Sequence, residues 1–105
     1  MPSIEIYRVR IDPANVERLL EIRAAAVAEF QEQVPELVQA DLVRLQDDVW
    51  LDVLTWSGPV EPDRIAAAAQ CTPTSAEMHG LIAEELAHDR GELVHSSAGA
   101  WASAR

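Results

Sequence analysis

At 105 residues the chain has room for one domain with a single modest core. Eight Lys and Arg against eighteen Asp and Glu give a formal net charge of −10, which argues against nucleic acid and anionic membranes as partners. No run approaches the ~18 apolar residues of a membrane span, and the single Cys71 excludes an internal disulfide framework. The N-terminal Met-Pro-Ser-Ile-Glu has no basic region and no long apolar core, so no signal peptide is expected and the cytoplasm is the expected compartment.

Ser3 to Ile11 is predicted as a strand, with Ile4, Ile6, Tyr7, Val9 and Ile11 in a short segment. Asp12-Pro13 then opens a helix: Asp is a good N-cap, and Pro fits the first helical position, where its missing N–H has no partner anyway. The helix is predicted from Pro13 to about Val34, ending near Pro35. Its apolar stripe is Val16, Leu19, Leu20, Ala26, Val27, Phe30 and Val34, with Glu17, Glu21, Glu29 and Glu32 on the outer side. Arg23 falls in the middle of that stripe. A guanidinium there must snorkel to the rim, pair with a carboxylate, or face a polar pocket.

Leu37 to Trp56 reads LVQADLVRLQDDVWLDVLTW, two Val-, Leu- and Trp-rich runs around Gln46-Asp47-Asp48, and predicts a β-hairpin. Asp-Asp is a weaker turn signal than Asn-Gly, so the loop could exceed two residues. With Asp47-Asp48 as the turn, Val38, Ala40, Leu42 and Arg44 share a face with Val49, Leu51, Val53 and Thr55. That face is nearly all apolar and is expected to meet the helices. The other carries Leu37, Gln39, Asp41, Val43 and Leu45 with Trp50, Asp52, Leu54 and Trp56. It is expected to lie bare until a partner covers it. If the faces are the reverse, Asp41 or Asp52 becomes available to Arg23.

Ser57-Gly58-Pro59 breaks the pattern. A short helix is predicted from Pro62 to Gln70, interrupted at Cys71-Thr72-Pro73. A second helical piece carries Met78, Leu81 and Ile82 and is opened by the capping-box sequence Thr74-Ser75-Ala76-Glu77. A last strand is predicted through Leu86, His88, Leu93, Val94 and His95, with a turn or bulge at Arg90-Gly91. One domain over 1–95 and a flexible tail over 96–105, including Trp101, complete the reading. The order strand, helix, strand, strand, helix, strand predicts an α+β, ferredoxin-like βαββαβ sandwich: a four-stranded antiparallel sheet with its helices on one face.

The Ile4–Ile11 strand, the capped helix at Asp12-Pro13, the hairpin ending Asp52-Val53-Leu54-Thr55-Trp56 and the closing Gly91-Glu92-Leu93-Val94-His95 resemble the antibiotic biosynthesis monooxygenase type of the dimeric α+β barrel superfamily, over roughly residues 3 to 95. The resemblance implies a homodimer packed through its sheets and a pocket between sheet and helices. It implies a cofactor-independent oxygenase of small aromatic or polyketide-like substrates, with no cofactor. The alternative is a non-catalytic homodimeric small-molecule-binding protein of the same fold. Haem-degrading members of the superfamily combine a tryptophan here with a histidine on the second helix and an asparagine on the first strand. This chain has Trp56 and His79, Tyr7 on its first strand, and no asparagine there.

The candidate catalytic residues are therefore Trp56, His79 and Tyr7, and the candidate substrate contacts are Arg23, Trp56 and Phe30. Each has a plainer reading: Trp56 as core filler, His79 at a solvent edge, Tyr7 in ordinary strand packing, Arg23 in a structural ion pair. His79, His88 and His95 match no metal-ligand spacing, so no metal is expected. No Gly-rich phosphate loop, GxSxG, HExxH or CxxC is present, which leaves hydrolase, kinase and dinucleotide readings without support.

Overall fold

The computed structural model describes residues 2–97. The chain runs β1 (Ser3–Ile11), α1 (Pro13–Gln33), β2 (Leu37–Arg44), β3 (Val49–Trp56), α2 (Pro62–Cys71), α3 (Pro73–Gly80) and β4 (Ile82–Glu92). The strands form one antiparallel sheet in the order β2-β3-β1-β4. Helices on one face complete the expected ferredoxin-like α+β fold. The tail expected over 96–105, Trp101 included, lies outside the described residues from 98 onward.

α1 starts as its sequence requires. The Asp12 carboxylate accepts from the Ala14 N–H at 2.9 Å, and Pro13 occupies the first turn. The buried phase is Leu19, Ile22, Ala26 and Phe30. Ile22 takes the place expected for Leu20, which is half exposed. Burying each large apolar side chain stabilises the fold by roughly 1.5–3 kcal/mol. The capping box expected at Thr74 does not form. α3 begins two residues earlier, after Thr72, whose hydroxyl donates back to the Ala68 carbonyl. The Thr74 N–H donates instead to the Glu29 carboxylate at 2.9 Å. A residue read as outer-facing on α1 thus satisfies the open end of α3.

The hairpin corrects the sequence reading most. Arg44 pairs with Trp50, and the Leu45 N–H donates to the Val49 carbonyl at 2.8 Å, which leaves a three-residue loop, Gln46–Asp48. Asp47 and Asp48 both sit in the left-handed region, with φ of 57° and 63°, where Asp is better tolerated than most residues. One extra loop residue shifts the pairing by one and reverses which faces coincide. Ala40, Leu42 and Arg44 of β2 lie with Trp50, Asp52, Leu54 and Trp56 of β3. This second set, not the Val49, Leu51, Val53 and Thr55 set, meets the helices: Trp50 and Trp56 are buried with α1 residues in two core clusters. Val38 is an extra residue in β2, so Leu37 and Ala40 also share the helix face.

β4 departs from expectation too. It runs straight through Arg90-Gly91, and its irregularities fall where Leu86 and Ala83 are extra residues opposite β1. The segment from Leu93 to His95 lies beyond the strand, with Leu93 N–H donating to the Pro2 carbonyl. The bulge at Leu86 lets Glu85 and His88 share the helix side of the sheet, although they are three positions apart, an odd separation.

Candidate functional site

Four rungs cross the sheet on its helix side, the outermost being Leu37, Trp56, Ser3 and Glu92. Arg44, Trp50, Val9 and Glu85 form one; Leu42, Asp52, Tyr7 and His88 the next; Ala40, Leu54, Glu5 and Arg90 the third. The first is capped by the Arg44 guanidinium over the Trp50 ring, 4.5 Å from its centre. The second and third, Leu42 excepted, form with Val9 and Glu85 the floor of a cavity of about 560 Å³. Its roof is Arg23, Ala26, Val27 and Phe30 of α1, Pro62, Ile65 and Ala69 of α2, and Ser75, Met78 and His79 of α3. The walls are mostly apolar, and the polar groups concentrate on the floor.

Glu5 is the centre of that floor and is almost fully buried. Burial alone would raise its pKa. The groups around it outweigh that effect and hold the carboxyl below its ordinary value: the His88 ring at 2.6 Å, the Arg90 guanidinium at 3.2 Å and the Tyr7 hydroxyl at 3.1 Å. Tyr7 is shifted the other way. Burial first, then the negative charge of Glu5 and the hydrogen bond to it, pushes its phenol well above the usual range, so it stays a neutral donor. Its ring lies flat on that of His88, with centroids 4.2 Å apart and planes 9° from parallel.

Arg23 reaches down from α1 to Asp52, with one nitrogen 2.8 Å from one carboxylate oxygen and a second 3.4 Å from the other. Both side chains are at least 85% buried, at 13% and 15% exposure. Asp52 is available because β3 presents the face expected to be bare. Surface pairs add ties between helices and loops: Arg18 with Glu77 joins α1 to α3, and Arg64 with Glu36 joins α2 to the α1–β2 loop. Such exposed pairs contribute little each.

The architecture recurs among solved structures. SnoaB, a cofactor-independent oxygenase from Streptomyces nogalater, superposes with a TM-score of 0.61 at 18% identity, covering 91% of this chain and 96% of SnoaB. A candidate antibiotic biosynthesis monooxygenase from Bordetella bronchiseptica gives 0.63 at 16% identity, covering 90% and 98%. Another from Caulobacter crescentus gives 0.63 at 12%, covering 90% and 91%. This chain has the fold of the antibiotic biosynthesis monooxygenase-like proteins. No protein-family model matches the sequence, and no curated protein matches it. The likeness to these monooxygenase-like structures is therefore one of fold.

Of the residues singled out in the sequence, Tyr7, Arg23, Phe30 and His79 converge on the 560 Å³ cavity. His79 is exposed at its rim and donates its Nδ1–H to the Ser75 carbonyl at 2.7 Å. Trp56 does not join them. It is buried edge-on against Phe30, ring centres 6.2 Å apart, and borders a second cavity of about 450 Å³ beside Pro59, Val60 and Ile65. Its indole N–H and the Ser75 hydroxyl are buried without a hydrogen-bond partner among the described residues. Glu5, His88 and Arg90 were missed as site residues. The available signal was phase: Glu5 and Tyr7 fall at every second position with Val9 and Ile11, so a carboxylate had to lie on the same side of β1 as buried apolar residues. Among the described residues, no group of three or more His, Cys, Asp or Glu is placed to hold a metal.

Two expectations follow. Arg23→Met alone leaves Asp52 buried and unpaired and should cost about 3–5 kcal/mol, whereas Arg23→Met with Asp52→Leu should recover most of that loss. Urea denaturation of the two single variants and the double variant measures this cycle. Glu5 also makes stability depend on pH. Because its folded pKa is depressed, its contribution is complete above the unfolded value, about 4.3. It is lost as pH falls through the lower folded value. Glu5→Gln should flatten the acid limb of stability below about pH 4, read from urea midpoints across pH.

Proposed function

We propose that the protein is a cofactor-independent oxygenase of small aromatic or polyketide-like substrates. The observation that carries this reading is the 560 Å³ cavity, with apolar walls suited to flat rings and a polar floor suited to handling protons. A volume of that order admits a fused-ring substrate. Such a substrate supplies its own electrons. A ring methylene flanked by phenols, once deprotonated, can pass electrons to O₂; the carbon becomes a carbonyl, and the second oxygen atom leaves as water. The protein then needs only to exclude water, hold the ring and accept a proton. The fold shared with SnoaB supports this reading. A non-catalytic binding protein of the same fold is the alternative. The buried Trp56 favours it, because that tryptophan does not face the 560 Å³ cavity.

Oxygen uptake with a panel of anthrones and quinols decides between them. Turnover by the wild type, reduced by Tyr7→Phe or His79→Ala, is the expected result. Binding of the same panel without oxygen uptake supports the alternative.

We also propose a homodimer packed through the sheet. The face turned away from the helices carries Ile4, Ile6, Leu51 and Val53, with Val43 42% exposed. An apolar sheet face of this kind needs a covering layer. Sedimentation at micromolar concentration should show a dimer, and Val53→Glu should shift it to monomer. A wild-type monomer across that range rules the interface out.

A further inference from the structure

We infer that His88 is the proton acceptor of the cavity, oriented by Glu5, and that the ligand is an acidic phenol or enol. This rests on the proposed small-aromatic reading of the site. His88 borders the 560 Å³ cavity, and its Nε2 lies 2.6 Å from the buried Glu5 carboxylate. An ionised carboxylate only accepts hydrogen bonds, so Nε2 must carry hydrogen. In the neutral ring the lone pair is then on Nδ1. The Tyr7 ring, flat against the imidazole at 4.2 Å, fixes its plane. The result is a carboxylate, an imidazole of defined tautomer and a second ring nitrogen with no hydrogen-bond partner among the described residues, the arrangement that makes histidine a general base.

The neighbours fit that role. Tyr7 donates to the same carboxylate and resists ionisation, so it does not compete as a base. The Arg90 guanidinium also binds Glu5 and helps keep it charged. Across the cavity, Arg23 is balanced by Asp52. His79 sits at the cavity rim, and its Nδ1–H goes to the Ser75 carbonyl rather than to a carboxylate. In the transfer, the ligand O–H bond breaks and its electron pair stays on oxygen. The proton goes to Nδ1, and the imidazolium keeps its Nε2–H directed at Glu5. No oxidant takes part. Glu5 is a positioning residue here, since it acts through His88.

The test separates this step from oxygen chemistry. 4-Nitrophenol, whose ionisation is read by its colour, is titrated with the wild type and with His88→Gln. The wild type should bind it as phenolate, and His88→Gln should bind it without the colour change. Where a quinol is turned over, His88→Gln should slow oxygen uptake by about 100-fold or more. Nitrogen-15 NMR of the wild-type imidazole gives a check that needs no variant: neutral His88 should be the Nε2–H tautomer. Glu5→Met should release that tautomer, and Glu5→Gln, which keeps an acceptor oxygen, should retain it. The wild type binding the phenol without ionising it, an equal colour change in His88→Gln, or an Nδ1–H tautomer each overturns the inference. Phenolate binding lost in His88→Gln, with no oxygen uptake on any quinol, supports the inference and removes the oxygenase reading. Oxygen uptake undiminished in His88→Gln does the opposite.

Discussion

Trp50 and Trp56 lie six residues apart on β3, an even separation, so both must point to the same side of the sheet. Each buries a large aromatic area, and only the helix side can cover both. That single requirement sets the phase of everything around it. Asp52 and Leu54 lie between the tryptophans and are carried to the same side; through the ladder, so are Tyr7 and Glu5 on β1, and His88 and Arg90 on β4. A polar floor beneath an apolar roof is the outcome, and Arg23 on α1 answers it with an ion pair to Asp52.

Order and type of element were readable because each rests on local chemistry. Asp12-Pro13 can only start a helix well, Ser57-Gly58-Pro59 can only break a pattern, and the hairpin runs are long and β-rich. Face assignment failed because it counted apolar residues instead of weighing their area. Val49, Leu51 and Val53 outnumber Trp50 and Trp56, yet two tryptophans bring more surface to bury. The three-residue loop and the extra Val38 then moved β2 relative to β3 in a way that no count along the chain shows. Arg23 was the corrective signal within the sequence. A guanidinium in an apolar stripe demands an acceptor, and Asp52 can serve only if the faces are reversed.

The site was legible only in part. Tyr7, Arg23, Phe30 and His79 were found through phase or resemblance, and they meet around one cavity. Trp56 was carried by resemblance alone, and here it fills the core beside Phe30. Glu5 and His88 are 83 positions apart in sequence and 2.6 Å apart in space. Their meeting depends on the β1–β4 register and on the bulge at Leu86, neither of which leaves a trace in composition or periodicity. A carboxylate that looked like one of many in an acidic chain is the one whose burial is matched by three partners.

The loop Gln46–Asp48 has an effect well beyond its three residues. Its length works as a parity switch for the edge strand. Losing or gaining one residue there would turn Gln39, Asp41 and Val43 under the helices and expel Ala40 and Leu42, while β3 and its tryptophans stayed in place. Length changes at this tip are therefore tolerable in steps of two, or when offset by a change at the Val38 bulge. The cavity wall built from β2 is inherited through the loop's count of residues as much as through their identity.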